Sequence, residues 1–145
     1  MALKHKESKN YGVLIERTIK KIRQHLQKNF NEKELGLTID QWVLLELLNR
    51  KEGVSQKVIA EQSNKDAPTV TRIIDLLCKK KLAERRVNED DRRRFNVHLT
   101  ELGREKVKEV YPVVLDMRRT GWQGLDDNDF NELSRILEKI CNNFD

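Results

Sequence analysis

Two cysteines, two prolines and six glycines are few for 145 residues, and each shortage excludes something. Cys78 and Cys141 lie far apart in helix-like context, which is neither a disulfide framework nor metal-ligand spacing. A reducing cytoplasm fits, with both thiols expected to be structural, buried or half-buried. His5, His25 and His98 are widely separated and pair with no cysteine at ligand spacing, so neither metal nor cofactor is expected. No apolar run approaches the ~20 residues of a membrane span, and MALKHKESKN has no apolar h-region, so no membrane partner or secretion signal is expected. The chain also lacks a glycine-rich phosphate loop, a nucleophile–base pair and carboxylates clustered on an apolar surface, which argues against an enzyme. There is no internal repeat and no low-complexity linker, and the length suits one domain.

What the chain has is charge. Asp, Glu, Lys and Arg make up 37% of it, with a net charge of +5. The excess is uneven. Residues 1–52 and 53–100 each carry +4, and residues 101–145 carry −3. An acidic partner is therefore expected for the first two thirds.

Apolar periodicity predicts a mainly α chain. Tyr11, Leu14, Ile15, Thr18, Ile19, Ile22, Leu26 and Phe30 form the stripe of one long helix over about 8–32. Thr38-Ile-Asp-Gln41 is a capping-box pattern opening a second helix, lined by Val43, Leu44, Leu47 and Leu48, which ends near Arg50 before Gly53. Ser55 caps a short third helix with Val58, Ile59 and Ala60 inward. After the turn Ser63-Asn64-Lys65, Asp66 caps a fourth, with Pro68 in its first turn and Val70, Ile73, Ile74 and Leu77 buried. Thr100 caps a fifth, with Leu102, Val107, Val110, Val114 and Met117 on its apolar side and a kink or break expected at Pro112. Asp126 or Asp127 caps a sixth, striped by Phe130, Leu133, Ile136, Leu137, Ile140 and Phe144; Trp122 reads as a helix-end packing residue.

Helices three and four, joined by a turn of about three residues, read as a helix-turn-helix. Leu82 to Val87 and Phe95 to Leu99 then read as a two-stranded hairpin, a wing, with NEDDRRR at its tip. The expected architecture is a winged helix-turn-helix lobe over about 36–100, flanked by dimerisation helices over about 8–33 and 101–145. The first and last stripes would pack across a two-fold axis, and the partner would be a second copy.

The fourth helix is sized for the major groove of double-stranded DNA. Pro68, Thr69, Thr71 and Arg72 would face base edges; Arg can fork onto guanine, and a Thr methyl can touch that of thymine. Ser55, Gln56 and Lys57 would hold a phosphate at a helix N-terminus, with Lys79 and Lys80 on the backbone and Lys65 among the DNA contacts. Arg92, Arg93 and Arg94 would bring the wing to the minor groove, Arg93 as the probe. Asp91, two residues from Arg93, would brace its guanidinium by a two-pronged hydrogen bond and lower the ordering cost of binding.

The stretch APTVTRIIDLLCKKKLAERRVNEDDRRRFNVHLTELG, residues 67–103, resembles the MarR family of bacterial transcription regulators. The pieces are Pro68-Thr69-Val70-Thr71-Arg72, Asp75 with Leu77, Leu82 with Glu84-Arg85, Asp91-Arg92-Arg93, Leu99-Thr100 and Gly103; their order and spacing carry the likeness. The resemblance implies an obligate homodimer on a pseudo-palindromic operator, acting as repressor or activator and released by a small phenolic or otherwise anionic ligand. It places Pro68, Thr69 and Arg72 on bases, Arg93 in the minor groove and Asp91 as its brace. The effector would sit between the dimer helices and the lobe, with Tyr11, His25 and Trp42 as candidate lining. The chain departs from the family at Lys81, where a helix-ending glycine is usual, and at Leu76, where a charged residue is common.

Two other readings compete. A non-specific architectural DNA binder would share the charge but need no braced wing arginine. A winged helix that docks protein would present an apolar recognition face, toward which exposed Leu76 is the only hint.

Overall fold

The computed structural model describes residues 9–145; His5 lies outside the described residues. The chain runs α1 (Tyr11–Glu32), α2 (Ile39–Arg50), β1 (Val54–Ser55), α3 (Gln56–Ser63), α4 (Ala67–Lys79), β2 (Ala83–Val87), β3 (Phe95–Leu99), α5 (Glu101–Gly121) and α6 (Asp127–Asn142).

Helix α1 begins where the Asn10 side chain accepts the Val13 N–H at 3.1 Å, so it starts a little later than periodicity placed it. Only Leu26 and Phe30 of its stripe are buried. Helix α2 opens with the expected capping box: Thr38 Oγ accepts the Gln41 N–H and Gln41 Oε1 accepts the Thr38 N–H. It is the central helix, burying Trp42, Leu44, Leu45, Leu47 and Leu48. Around it pack Phe30, Ile59, Ile74, Leu77, Val97 and Val110, forming one core.

The sheet has three strands, not two, in the order β1-β3-β2, all antiparallel. Val54 pairs with Val97 and Ser55 with Asn96 on one edge of β3; on the other, Ala83 pairs with Leu99 through to Val87 with Phe95. The extra strand has two residues, too short for any alternation to reveal it. It fastens the start of α3 to the root of the wing.

Helix α4 ends in a Schellman turn. The Lys81 N–H donates to Cys78 O and the Leu82 N–H to Leu77 O, each at 2.9 Å, with Lys81 at φ +62°. A lysine thus occupies the left-handed position that glycine would take without strain. The start of α5 closes on this corner. The Thr100 hydroxyl donates to Lys81 O at 2.6 Å and the Thr100 N–H donates to Leu82 O at 3.1 Å. Gly103 lies so close that a Cβ there would stand 2.0 Å from Leu82 O.

Helix α5 runs unbroken through Pro112, so the expected break does not occur. Pro112 and Lys108, whose carbonyl loses its donor, are both exposed, and water can satisfy that oxygen. Val107, Val110, Val113 and Val114 are buried, but Leu102 is half exposed at the helix start, contrary to its expected place on the apolar side. Asp126 and Asp129 cap α6 reciprocally, and Trp122 donates its indole N–H to Asp126 O while its ring meets Phe130 edge-on at 5.9 Å. None of the α6 residues is buried. Cys78 is half-buried, but Cys141, on α6, is exposed.

One carboxylate joins three elements. Asp40, in the first turn of α2, accepts from Arg23 of α1 and from Lys65 of the α3–α4 turn, each at 2.8 Å. Partial burial raises its carboxyl pKa, but the bonds and charges of Lys65 and Arg23 outweigh this and hold it below its ordinary 3.8. A carboxyl lowered by folding stabilises the fold above its unfolded pKa, and that contribution is lost as pH falls through the lower folded value.

Two outcomes are expected in urea melts. Lys81→Gly should raise stability by about 1 kcal/mol by relieving the left-handed lysine. Asp40→Asn should cost about 1 kcal/mol or less at pH 7, since both ion pairs are part-exposed, and should flatten the loss of stability below pH about 4. An unchanged acid limb in that variant would remove Asp40 from the account.

Candidate nucleic-acid interface

Ser55 Oγ accepts the Val58 N–H, so its hydroxyl serves as the α3 cap. Asn64 takes a left-handed conformation, φ +58°, which turns the chain from α3 into α4. Asp66 then accepts the Thr69 N–H at 2.8 Å, and this bond, with that of the Thr69 hydroxyl, holds its carboxyl below the usual range. Helix α4 lays Val70, Ile73, Ile74 and Leu77 against the core. It leaves Pro68, Thr71, Arg72, Asp75, Leu76 and Lys79 exposed, with Thr69 half-buried.

The polar side chains of this region are already interlinked. Gln56 Nε2 donates to Thr71 Oγ1 at 3.0 Å, while Gln56 Oε1 accepts from Arg85 Nε at 3.0 Å. Arg85 Nη2 donates to Asp75 Oδ1 at 2.6 Å. Three elements, α3, α4 and β2, are thereby clamped together. Gln56, expected on a phosphate, has both ends of its amide engaged by Thr71 and Arg85 instead. Nothing local could correct this, because the partners are ten to twenty-nine residues apart and meet only when the strands pair.

Two lysines are also turned to internal work. Lys65 is held by Asp40 with its side chain largely covered. Lys80 donates to Gly36 O at 2.6 Å and to Gln41 Oε1 at 2.9 Å, fastening the end of α4 to the α1–α2 loop. Its ammonium is partly desolvated and faces Lys106, and its pKa is lowered by both. The expected role of Lys80 on phosphate is corrected accordingly; Lys79 remains exposed.

At the wing tip Asn88 Oδ1 accepts the N–H groups of Asp90 and Asp91. The Asn88 N–H donates to Arg94 O, and the Arg94 N–H to Asp91 O. Asp91 Oδ1 accepts the backbone N–H of Arg93 at 3.1 Å, and its other oxygen lies 3.6 Å from Arg94 Nε. The two-pronged bond to the Arg93 guanidinium is not formed. Asp91 shapes the turn through the backbone instead, a local bond open to any Asp two residues upstream. Arg92, Arg93 and Arg94 are all exposed.

Tyr11, His25 and Trp42 do not come together within one chain. Trp42 is 2% exposed and belongs to the core. Tyr11 and His25 are exposed on α1, fourteen residues or about 21 Å apart. A hollow of about 400 Å³ does lie between α2 and α5, lined by Glu46, Asn49, Arg50, Val107, Tyr111 and Pro112, among others.

The MarR family model matches residues 35–94, the segment holding α2 to the wing tip. The transcriptional repressor MprA of Escherichia coli K12 is 24% identical over 99% of this chain and 84% of its own. Bordetella bronchiseptica BpsR, solved in a study of how 6-hydroxynicotinic acid regulates its DNA binding, superposes with a TM-score of 0.83; it is 25% identical, over 92% of this chain and 94% of its own. Staphylococcus aureus MepR, solved bound to DNA, also superposes at 0.83; it is 24% identical, over 92% of this chain and 98% of its own. With its capped helix-turn-helix and its wing, the chain carries the MarR family match over residues 35–94 and is similar along most of its length to transcriptional regulators.

Proposed function

We propose that the protein is a sequence-specific transcriptional repressor that binds a pseudo-palindromic operator as a homodimer and is released by a small phenolic or otherwise anionic ligand in the cytoplasm. The observation that carries this reading is the division of α4. Its large apolar residues Val70, Ile73, Ile74 and Leu77 are spent on the core, Leu76 excepted, and Pro68, Arg72 and Lys79 are left outward beside a wing with three exposed arginines. Arg72 suits guanine in the major groove, and Arg93 suits the minor groove.

The homodimer is supported by where apolar side chains remain uncovered. Among the described residues, exposed large apolar groups concentrate on α1 (Tyr11, Leu14, Ile15, Ile19) and along α6 (Phe130, Leu133, Ile136), with Phe144 beyond it. A patch of that extent calls for a partner surface. The lobe over about 36–100 would then be the DNA-binding unit and the terminal helices its dimer arms. The effector is assigned to the hollow between α2 and α5, where Arg50, Lys108 and Tyr111 suit an anionic or phenolic compound. Such a ligand would bear on both the lobe and an arm.

The architectural reading gives no reason for the ordered Asp91 turn at the wing. The protein-docking reading has only Leu76 to support it, against a recognition face otherwise polar and basic.

The test is binding to DNA from upstream of the gene against a scrambled duplex near 150 mM salt. We expect a preference of about 10³-fold or more, with one species of twice the 17.2 kDa chain mass per site. Arg93→Ala should cost about 1–3 kcal/mol. Asp91→Ala should lose part of that, by releasing the turn, and the double variant should lose less than the sum. Equal binding to both duplexes, or a monomer on DNA, would defeat the reading.

A further inference from the structure

The polar chain behind α4 has a consequence for what the helix can read. Asp75 fixes Arg85, and Arg85 fixes Gln56 with Oε1 toward its own Nε, leaving Gln56 Nε2 directed at Thr71. Thr71 Oγ1 accepts that bond and spends its one proton on Ala67 O at 3.1 Å. A hydroxyl has a single proton to give. Thr71 therefore cannot donate to guanine O6 or N7, adenine N7 or thymine O4, the acceptors a free threonine would seek. Yet the residue is exposed, and its uncommitted group is the γ-methyl.

We infer that Thr71 reads DNA through its methyl group, against the 5-methyl of a thymine, and that Gln56, Arg85 and Asp75 are positioning residues that enforce this by occupying its hydroxyl. The inference rests on the reading of α4 as the recognition helix. It moves Gln56 from contacting phosphate to setting sequence preference.

In the test, the wild-type protein selects an operator from a random-sequence duplex library. Each thymine is then replaced in turn by deoxyuridine, which removes the methyl and leaves every hydrogen-bonding edge intact. One position per half-site should lose about fourfold in affinity, the worth of one buried methyl. Thr71→Val, which keeps a methyl and drops the hydroxyl, should retain that loss; Thr71→Ser, which keeps the hydroxyl and drops the methyl, should abolish it. Gln56→Glu keeps an acceptor for Arg85 but removes the donor that holds Thr71 in place, and should weaken the preference for thymine at the same position. No sensitive thymine in the wild type, or a penalty that survives in the serine variant, would overturn the inference while leaving operator binding intact. Failure to enrich any operator would instead defeat the regulator reading itself, and this inference with it.

Discussion

The corner at Lys81 and Leu82 governs the architecture. Within two residues α4 ends, β2 begins, and the end of β3 and the start of α5 are bonded to their carbonyls. Four elements meet there through two bonds of Thr100, one from its backbone N–H and one from its hydroxyl, to adjacent carbonyls. The corner has two steric requirements. One is a left-handed residue, met here by a lysine at some cost in strain. The other is an absent side chain at Gly103, where a methyl would collide with a main-chain oxygen. Helix α4, the β2–β3 hairpin and the long helix α5 thereby meet at one bonded corner.

A second theme is how the charge is divided. The excess of basic residues suggested a broad phosphate-seeking surface. Several of these cations are instead internal fasteners. Lys65 and Arg23 meet on Asp40, Lys80 spans to the α1–α2 loop, and Arg85 clamps β2 to α4. On α4 and at the wing tip, Arg72, Lys79 and the three arginines are left outward. At the wing, Asp91 orders the turn through the Arg93 backbone N–H and pairs with Arg94 rather than with the Arg93 guanidinium.

Much was legible in the sequence. The six helices, the capping box at Thr38, the helix-turn-helix and the paired strands of the wing follow from period, caps and turn residues. The family likeness rests on the same local stretch. What was misjudged lies at longer range. The strand at Val54 is too short to have a period, and Pro112 is tolerated because its face of α5 is wet. Tyr11, His25 and Trp42 were grouped by residue type, but helix geometry holds the first two far apart and the core encloses the third.

The sequence by itself thus determined which segments are helices, where α2 to α5 begin, and that basic residues gather at a helix-turn-helix and its wing. Each of these is a property of neighbouring residues, and neighbours are fixed by the order of the chain. Only the tertiary structure decided which of the polar residues are free. Gln56, Thr71, Asp75 and Arg85, or Arg23, Asp40 and Lys65, become partners because packing α2, α3, α4 and the sheet around one apolar core brings distant positions within hydrogen-bond reach. A side chain's chemistry is written in its residue type, but its availability depends on what the fold places beside it.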